Sequence, residues 1–263
     1  MQQKRPKYSH ILITGASSGI GAALARHYAA PGVRLALAGR NRARLSDVAS
    51  VCHERGAAVT EVSVDVTDRA AMQQWIEQED DKQPLDLVIA NAGISGGTGG
   101  GGENAEQLRS IFDVNVTGVF NTIDPVLPRM TARGAGQVAI MSSLASFCGW
   151  PGAPAYSASK ATVRVYGEAL RGAVARAGVG VNVICPGFIE TPMTAVNDYK
   201  MPLMMDVERA AALTARGIAR NQARIAYPLR TYFFAGLLGM LPAGLASRIL
   251  RKMPEKPAQT KSP

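Results

Sequence analysis

Residues 8–30, YSHILITGASSGIGAALARHYAA, decide the fold. Residues 8–14 read as a short buried strand, GASSGIG follows at once, and AALARHYAA carries its apolar residues at helical spacing. Within the turn, Thr14, Gly15, Gly19 and Gly21 form T-G-x-x-x-G-x-G. Glycines there permit a tight turn and close backbone approach, and the first turn of the helix offers free N–H groups to a pyrophosphate. The motif draws its force from its place between a first strand and a first helix. A triphosphate loop would need Lys after the last glycine, where Ala22 stands.

Working outward, the same alternation repeats. Strands are expected at 33–39, 57–65, 85–93, 137–143, 179–185 and 223–227, and helices at 41–56, 68–80, roughly 103–130, and 154–177. The apolar runs are about five residues long without clean alternation, as in strands covered on both faces. Strands alternating with helices predict an α/β fold, a doubly wound parallel sheet of about seven strands with helices on both faces. No linker divides residues 1–227, which are expected to form one domain. SGGTGGGG (95–102) is expected to be a mobile loop, residues 190–222 a lid over the substrate, 228–253 an amphipathic helical extension, and 254–263 a disordered tail.

Bulk properties exclude several classes. The chain has 263 residues, 47% hydrophobic and 19% charged, with ample material for a core. Cys52, Cys148 and Cys185 form neither a disulfide framework nor a metal-ligand pattern, which fits a reducing cytoplasm. No stretch of about 18 apolar residues exists to cross a membrane, and the short run before the glycines is no signal peptide. The net charge of +9 comes almost wholly from Lys200 onward, where 11 basic residues face 3 acidic ones. A basic end suits an anionic partner, but no nucleic-acid-binding signature accompanies it.

Chemistry enters at PAYSASK. Tyr156 and Lys160 are four apart in a predicted helix, so a phenol and an ammonium share one face. An unperturbed phenol titrates near ~10, and bringing it to neutrality needs about 4 kcal/mol of preferential stabilisation of the phenolate. A neighbouring cation, helped by an oxidised nicotinamide, could supply it. At the end of the second predicted strand stands Arg40, with Arg42 and Arg44 behind it and no acid. A carboxylate there suits a ribose 2′-hydroxyl and a guanidinium suits a 2′-phosphate. NADP(H) is therefore expected over NAD(H), with Arg40 as the discriminator and Arg42 and Arg44 as a solvated helix face.

TGASSGIG, Asp65, NAG at 91–93, Asn115, Ser143, YSASK and PGFIET, in this order, resemble the short-chain dehydrogenase/reductase family in its single-domain, Rossmann form. The resemblance covers roughly residues 8–195. It implies Tyr156 as general acid/base, Lys160 as the residue that lowers its pKa and bonds the nicotinamide ribose, and Ser143 as holder of the substrate oxygen. Asn115 would hold a water linking Lys160 to solvent. For the cofactor it implies Gly15, Ser17, Ser18, Gly19, Ile20 and Gly21 in the turn, and Asp65 and Val66 at the adenine. Asn91, Ala92 and Gly93 would follow the fourth strand, and Pro186, Gly187, Ile189 and Thr191 would hold the carboxamide. Ser142, beside Ser143, is expected to point away. Asp65 has a competing reading as a helix N-cap, with Thr67 and Asp68 as rivals, and Asn115 one as a polar group bonding backbone.

The implied reaction interconverts a ketone and a secondary alcohol by hydride transfer. His10, His27 and His53 fall far from Ser143, which argues against a hydrolase triad. Met193, Met201, Met204 and Met205, with Phe147 and Trp150, suggest a lipophilic or bulky substrate. The alternatives are a reductase acting on a sugar precursor, enoyl reduction or epimerisation, and an idle dinucleotide-binding redox sensor; the intact Asn115, Ser143, Tyr156 and Lys160 set favours an enzyme. In the extension, Tyr232, Phe233, Leu237, Leu238, Leu241, Leu245, Ile249 and Leu250 give one or two amphipathic helices, the second starting at Pro242. They are expected to cover the chain's own core or a sister subunit of a homodimer or homotetramer. Docking on an anionic membrane surface or gating of the substrate are the other readings.

Overall fold

Strand β1 (His10–Thr14) is buried at every position, so both of its faces must be covered. In the computed structural model, which describes residues 7–99, 101–199, 201–251, 256 and 258, this is achieved by a seven-stranded, all-parallel sheet. The other strands are β2 (Arg34–Ala38), β3 (Ala58–Val62), β4 (Leu87–Ala90), β5 (Gly136–Met141), β6 (Val179–Pro186) and β7 (Arg224–Tyr227), in the order β3-β2-β1-β4-β5-β6-β7. The order reverses direction between β1 and β4, which pair Ile11 with Leu87 and Ile13 with Ile89. That reversal opens a crevice at the carboxyl ends of the strands.

Helices fill both faces. Helices α1 (Gly19–Tyr28) and α2 (Arg42–Glu54) bury Leu24 and Leu45 in one core layer with Ile11, Ile13 and Leu37. Helix α3 (Arg69–Lys82), N-capped by the Asp68 side chain, buries Met72 and Ile76 in the other with Leu12 and Val88. The helix expected over 103–130 is interrupted. Helix α4 (Ala105–Phe112) passes through one π-helical turn (Asp113–Thr117) into α5 (Gly118–Ile123), and a break at 124–126 precedes α6 (Leu127–Arg133). Pro125 lies in that break, where it has no N–H to continue the helical ladder. Helix α7 (Pro154–Val174) begins with Pro at its first position, and the Ala155 N–H donates to the Glu103 carboxylate at 2.8 Å.

The expected lid at 190–222 is shorter in the structure. A one-turn helix α8 (Pro192–Ala195) is followed by a loop, but α9 (Val207–Ala219) is a layer helix with Ala210, Ala211 and Ile218 buried in the α1 core. Its small residues let it lie close against α1. Helices α10 (Leu229–Met240) and α11 (Ala243–Leu250), the latter N-capped at Pro242, lie beyond β7. Ala235 of α10 packs with Leu144, Val183 and Cys185. The disorder expected over 254–263 falls outside the described residues except at Lys256 and Ala258, both of which are placed.

Candidate active site

The glycine turn is laced to the end of β4. The Thr14 hydroxyl accepts from the N–H groups of Asn91 (3.1 Å) and Ala92 (3.2 Å), and the Asn91 side chain donates to the carbonyls of Thr14 (3.0 Å) and Gly15 (3.2 Å). Gly15 and Gly19 sit at φ +66° and +54°, where a side chain is strained. A Cβ on Gly15 would also lie 2.8 Å from Ala92 Cα. Ser18 is the N-cap of α1 but makes no side-chain cap bond, so the first-turn amides are not capped from within.

From this turn one cavity of about 420 Å³ runs along the strand ends to α10. Of the residues singled out in the sequence, Gly15, Ser17, Ser18, Gly19, Ile20, Arg40, Asp65, Val66, Asn91, Ala92 and Gly93 line one part of it; Ser143, Tyr156, Lys160, Pro186, Gly187, Ile189 and Thr191 line the rest. Gly21 does not line it. It sits beneath the turn, where a Cβ would meet Gly15 and Asn91.

Asn115 stands behind the wall rather than in it, fully buried in the π-helical turn. Its Oδ1 accepts from Ile94 N–H (2.8 Å), and its Nδ2 donates to the Ile94 carbonyl (3.0 Å) and the Ser159 hydroxyl (3.0 Å). The Ser159 hydroxyl in turn donates to the Tyr156 carbonyl at 2.8 Å. The geometry is that of a polar group bonding backbone, and it ties the loop after β4 to α7. Asp65 is not an N-cap; its carboxylate accepts from the N–H (2.9 Å) and hydroxyl (2.8 Å) of Thr67, leaving Asp68 to cap α3. The Asn121 side chain donates to the Val66 carbonyl at 2.9 Å and fixes this corner.

Tyr156, Lys160 and Ser143 converge. Lys160 Nζ lies 5.9 Å from the Tyr156 ring centroid and donates to the Met141 carbonyl at 3.0 Å. Ser143 lines the same cavity as the phenol, and its Oγ accepts from Ala145 N–H at 3.1 Å. Ser142 turns the other way, its hydroxyl donating to the Lys160 carbonyl at 2.8 Å, so adjacent serines lock the helix and face the cavity respectively. Burial pushes the Tyr156 phenol above its ordinary value, opposed by the Ser143 side chain. Burial also lowers Lys160 to about 8. The residues around the phenol do not acidify it by themselves, so the acidification expected from the Tyr-x-x-x-Lys spacing rests on the oxidised nicotinamide that the same reading calls on.

Several lining residues carried weaker signals. Arg44, set aside in the sequence as part of a solvated helix face, lines the cavity beside Arg40 and Asn41, and its N–H donates to the Asn41 side chain that caps α2. Phe188, Tyr199 and Trp150 form an edge-to-face chain, with Tyr199 6.0 Å from Trp150 and 6.4 Å from Phe188 between centroids. Phe234, Leu238 and Leu250 of the extension roof the same space. Lys256 reaches in from a distance that no local pattern could reveal.

The residues present fit a nicotinamide dinucleotide. The turn is a backbone cradle at an uncapped helix start, at the crevice where such a ligand binds in doubly wound sheets. Comparison with known proteins agrees. A family profile described as short chain dehydrogenase matches residues 9–201. An uncharacterized oxidoreductase of Myxococcus xanthus is 38% identical over 247 residues, 94% of this chain and 98% of that protein. Among solved structures, a short-chain dehydrogenase from Sphingobium yanoikuyae in complex with NADPH superposes with TM-score 0.78 at 26% identity, over 95% of this chain and 98% of that one. One from Burkholderia phymatum in complex with NAD gives TM-score 0.80 at 24% identity, over 96% and 98%. With a parallel sheet, a glycine turn, a Ser143–Tyr156–Lys160 cluster in one crevice and these relatives, the chain belongs to the short-chain dehydrogenase/reductase family of nicotinamide-dependent oxidoreductases.

Proposed function

We propose that the protein is an NADP(H)-dependent reductase that interconverts a ketone and a secondary alcohol on a largely apolar substrate. The observation that carries this reading is that Ser143, Tyr156 and Lys160 line the crevice that begins at the glycine turn, with Lys160 Nζ 5.9 Å from the Tyr156 ring centroid. Two hydroxyl donors converging on one point suit a carbonyl oxygen that gains charge as it is reduced. A phenol held above its ordinary pKa stays protonated near neutrality, so Tyr156 can give its proton to that oxygen. Lys160, lowered to about 8, keeps most of its charge at neutral pH, and that charge favours the phenolate left behind. Asn115 and Ser159 hold the start of α7 in register with the loop after β4, and so fix the phenol's position. The bound cofactor supplies or accepts the hydride.

Gly15, Ser17, Ser18, Gly19 and Ile20 would hold the pyrophosphate, Asp65 and Val66 the adenine side, and Pro186, Gly187, Ile189 and Thr191 the nicotinamide end. Arg40 and Arg44 at the end of β2, where the strand is followed by Gly39, Arg40 and Asn41 without an acid, support the 2′-phosphate. Trp150, Phe188, Met193, Phe234 and Leu238 support an apolar substrate. Leu229, Phe233, Leu237 and Met240 are exposed on the outer side of α10 and would pack against a second subunit. A Phe233→Ser, Met240→Ser double variant that sediments like the wild type removes that part of the reading; binding of the wild type to anionic vesicles would instead give the face to a membrane. The catalytic reading is tested with Tyr156→Phe in a panel of ketones read by NADPH absorbance. Turnover should vanish while dinucleotide binding persists. Loss of both together would make Tyr156 a structural residue only.

A further inference from the structure

The cavity contains a second ammonium that the reaction does not require. Lys256 is only 7% exposed, and its Nζ lies 5.4 Å from the Tyr156 ring centroid. It donates to the Ser95 hydroxyl, and among the described residues it pairs with no carboxylate. An ammonium has three donors, and one hydroxyl and one ring face leave donors over. Its charge is disfavoured by burial, which lowers it to about 8. A buried cation is costly to keep without a counter-charge, and the cavity it faces is lined in part by the apolar side chains of Ile94, Trp150, Met193 and Leu250.

The placement of Lys256 is built, and the glycine-rich loop is what builds it. Gly99 N–H donates to the Lys256 carbonyl at 3.0 Å, and Thr98 N–H to the Gly152 carbonyl at 3.1 Å. A Cβ on Gly97 would collide with the Lys256 backbone and come within 2.6 Å of the Gly152 oxygen; one on Gly99 would sit 3.0 Å from Ala258. SGGTGGGG, expected from the sequence to be a mobile loop, thus offers at Gly97 and Gly99 a side-chain-free seat for Lys256 and Ala258.

We infer that Lys256 is a specificity residue that receives an anionic group of the substrate, next to the carbonyl held by Ser143 and Tyr156. The substrate class is then an amphipathic oxo or hydroxy acid whose apolar remainder lies along Trp150, Met193 and Leu238. This inference rests on the crevice being the substrate site and refines which substrate it takes.

The test uses the full chain saturated with NADPH and two matched probes, octanoate and octan-1-ol, titrated by calorimetry. Wild type should bind octanoate at least about tenfold more tightly than the alcohol. Lys256→Met should weaken octanoate by about 10–100-fold and leave octanol unchanged, and Lys256→Arg should restore most of the loss. Octanol binding also reports that the variant site is intact. Equal loss of both probes, no loss of octanoate, or no preference for octanoate in the wild type would each overturn the inference. The reductase reading is separately decided by NADPH turnover on ketones and by Tyr156→Phe, so failure of one is distinct from failure of the other.

Discussion

Gly21→Ala and Gly172→Ala are the same chemical change in two helices, and the structure gives them opposite signs. In α7, a Cβ on Gly172 meets nothing within 4 Å, so the variant should gain about 0.5–1 kcal/mol from helix propensity. In α1, a Cβ on Gly21 would lie 2.5 Å from Asn91 Nδ2 and closer still to the Gly15 carbonyl oxygen, itself backbone in the turn. The Gly21 backbone is not left-handed, so space alone is at issue. Relief requires the turn to move away from α1 or Asn91 to leave the Gly15 carbonyl. Overpacking of this kind costs about 1–3 kcal/mol, and one lost hydrogen bond about 1 kcal/mol. Against the propensity gain, a net loss of roughly 1–3 kcal/mol remains, or a fall in Tm of roughly 2–10 °C for a chain of this size. Because the displaced atoms are the cradle, affinity for the dinucleotide should fall with stability, whereas Gly172→Ala should leave it unchanged. Urea unfolding and fluorescence titration with NADPH read both effects. If Gly21→Ala matches Gly172→Ala in sign, or loses stability with an undisturbed dinucleotide Kd, then the packing beneath the turn does not set the cradle.

Arg40→Asp should move the ratio of kcat/KM from NADPH toward NADH by at least about tenfold, since a carboxylate repels the 2′-phosphate and suits the 2′-hydroxyl. An unchanged ratio would transfer the role to Arg44 or remove it from this corner. Lys160→Met tests the buried ammonium through pH. The folded-state value of about 8 lies below the ordinary 10.5, so the unfolded chain binds more protons between those values. This group's penalty is therefore complete below about pH 8 and is relieved as pH rises to about 10.5. The stability of the variant relative to wild type should decline across that window, by up to about 3 kcal/mol. A difference that stays flat from pH 7 to 10.5 would show that Lys160 is not desolvated in the folded protein.

Much of this molecule is legible in one dimension because its determinants are local. The run from His10 to Tyr28 fixes strand, turn and helix by spacing alone, and Tyr156 and Lys160 lie one turn apart on α7, while Ser143 was legible through the family resemblance. Asp68 rather than Asp65 caps α3 because the helix starts at Arg69, and the Asp65 carboxylate instead accepts from Thr67. The lid is overestimated at 207–219. An Ala-rich helix is locally the same whether it covers a cavity or packs on α1, and only the surface beside it decides.

By itself the sequence determined the parallel α/β sheet, the glycine turn of the crevice and the Tyr156–Lys160 pair, since hydrophobic period, glycine placement and helical spacing act over a few residues; Ser143 was implied by the family resemblance. Only the tertiary structure decided what surrounds the phenol. Burial raises its pKa, Asn115 spends its amide on the Ile94 backbone and Ser159, and Lys256 arrives 100 positions after Tyr156 on a seat of glycines. Desolvation and long-range contact depend on how the whole chain encloses a point, and no stretch of residues carries that information alone.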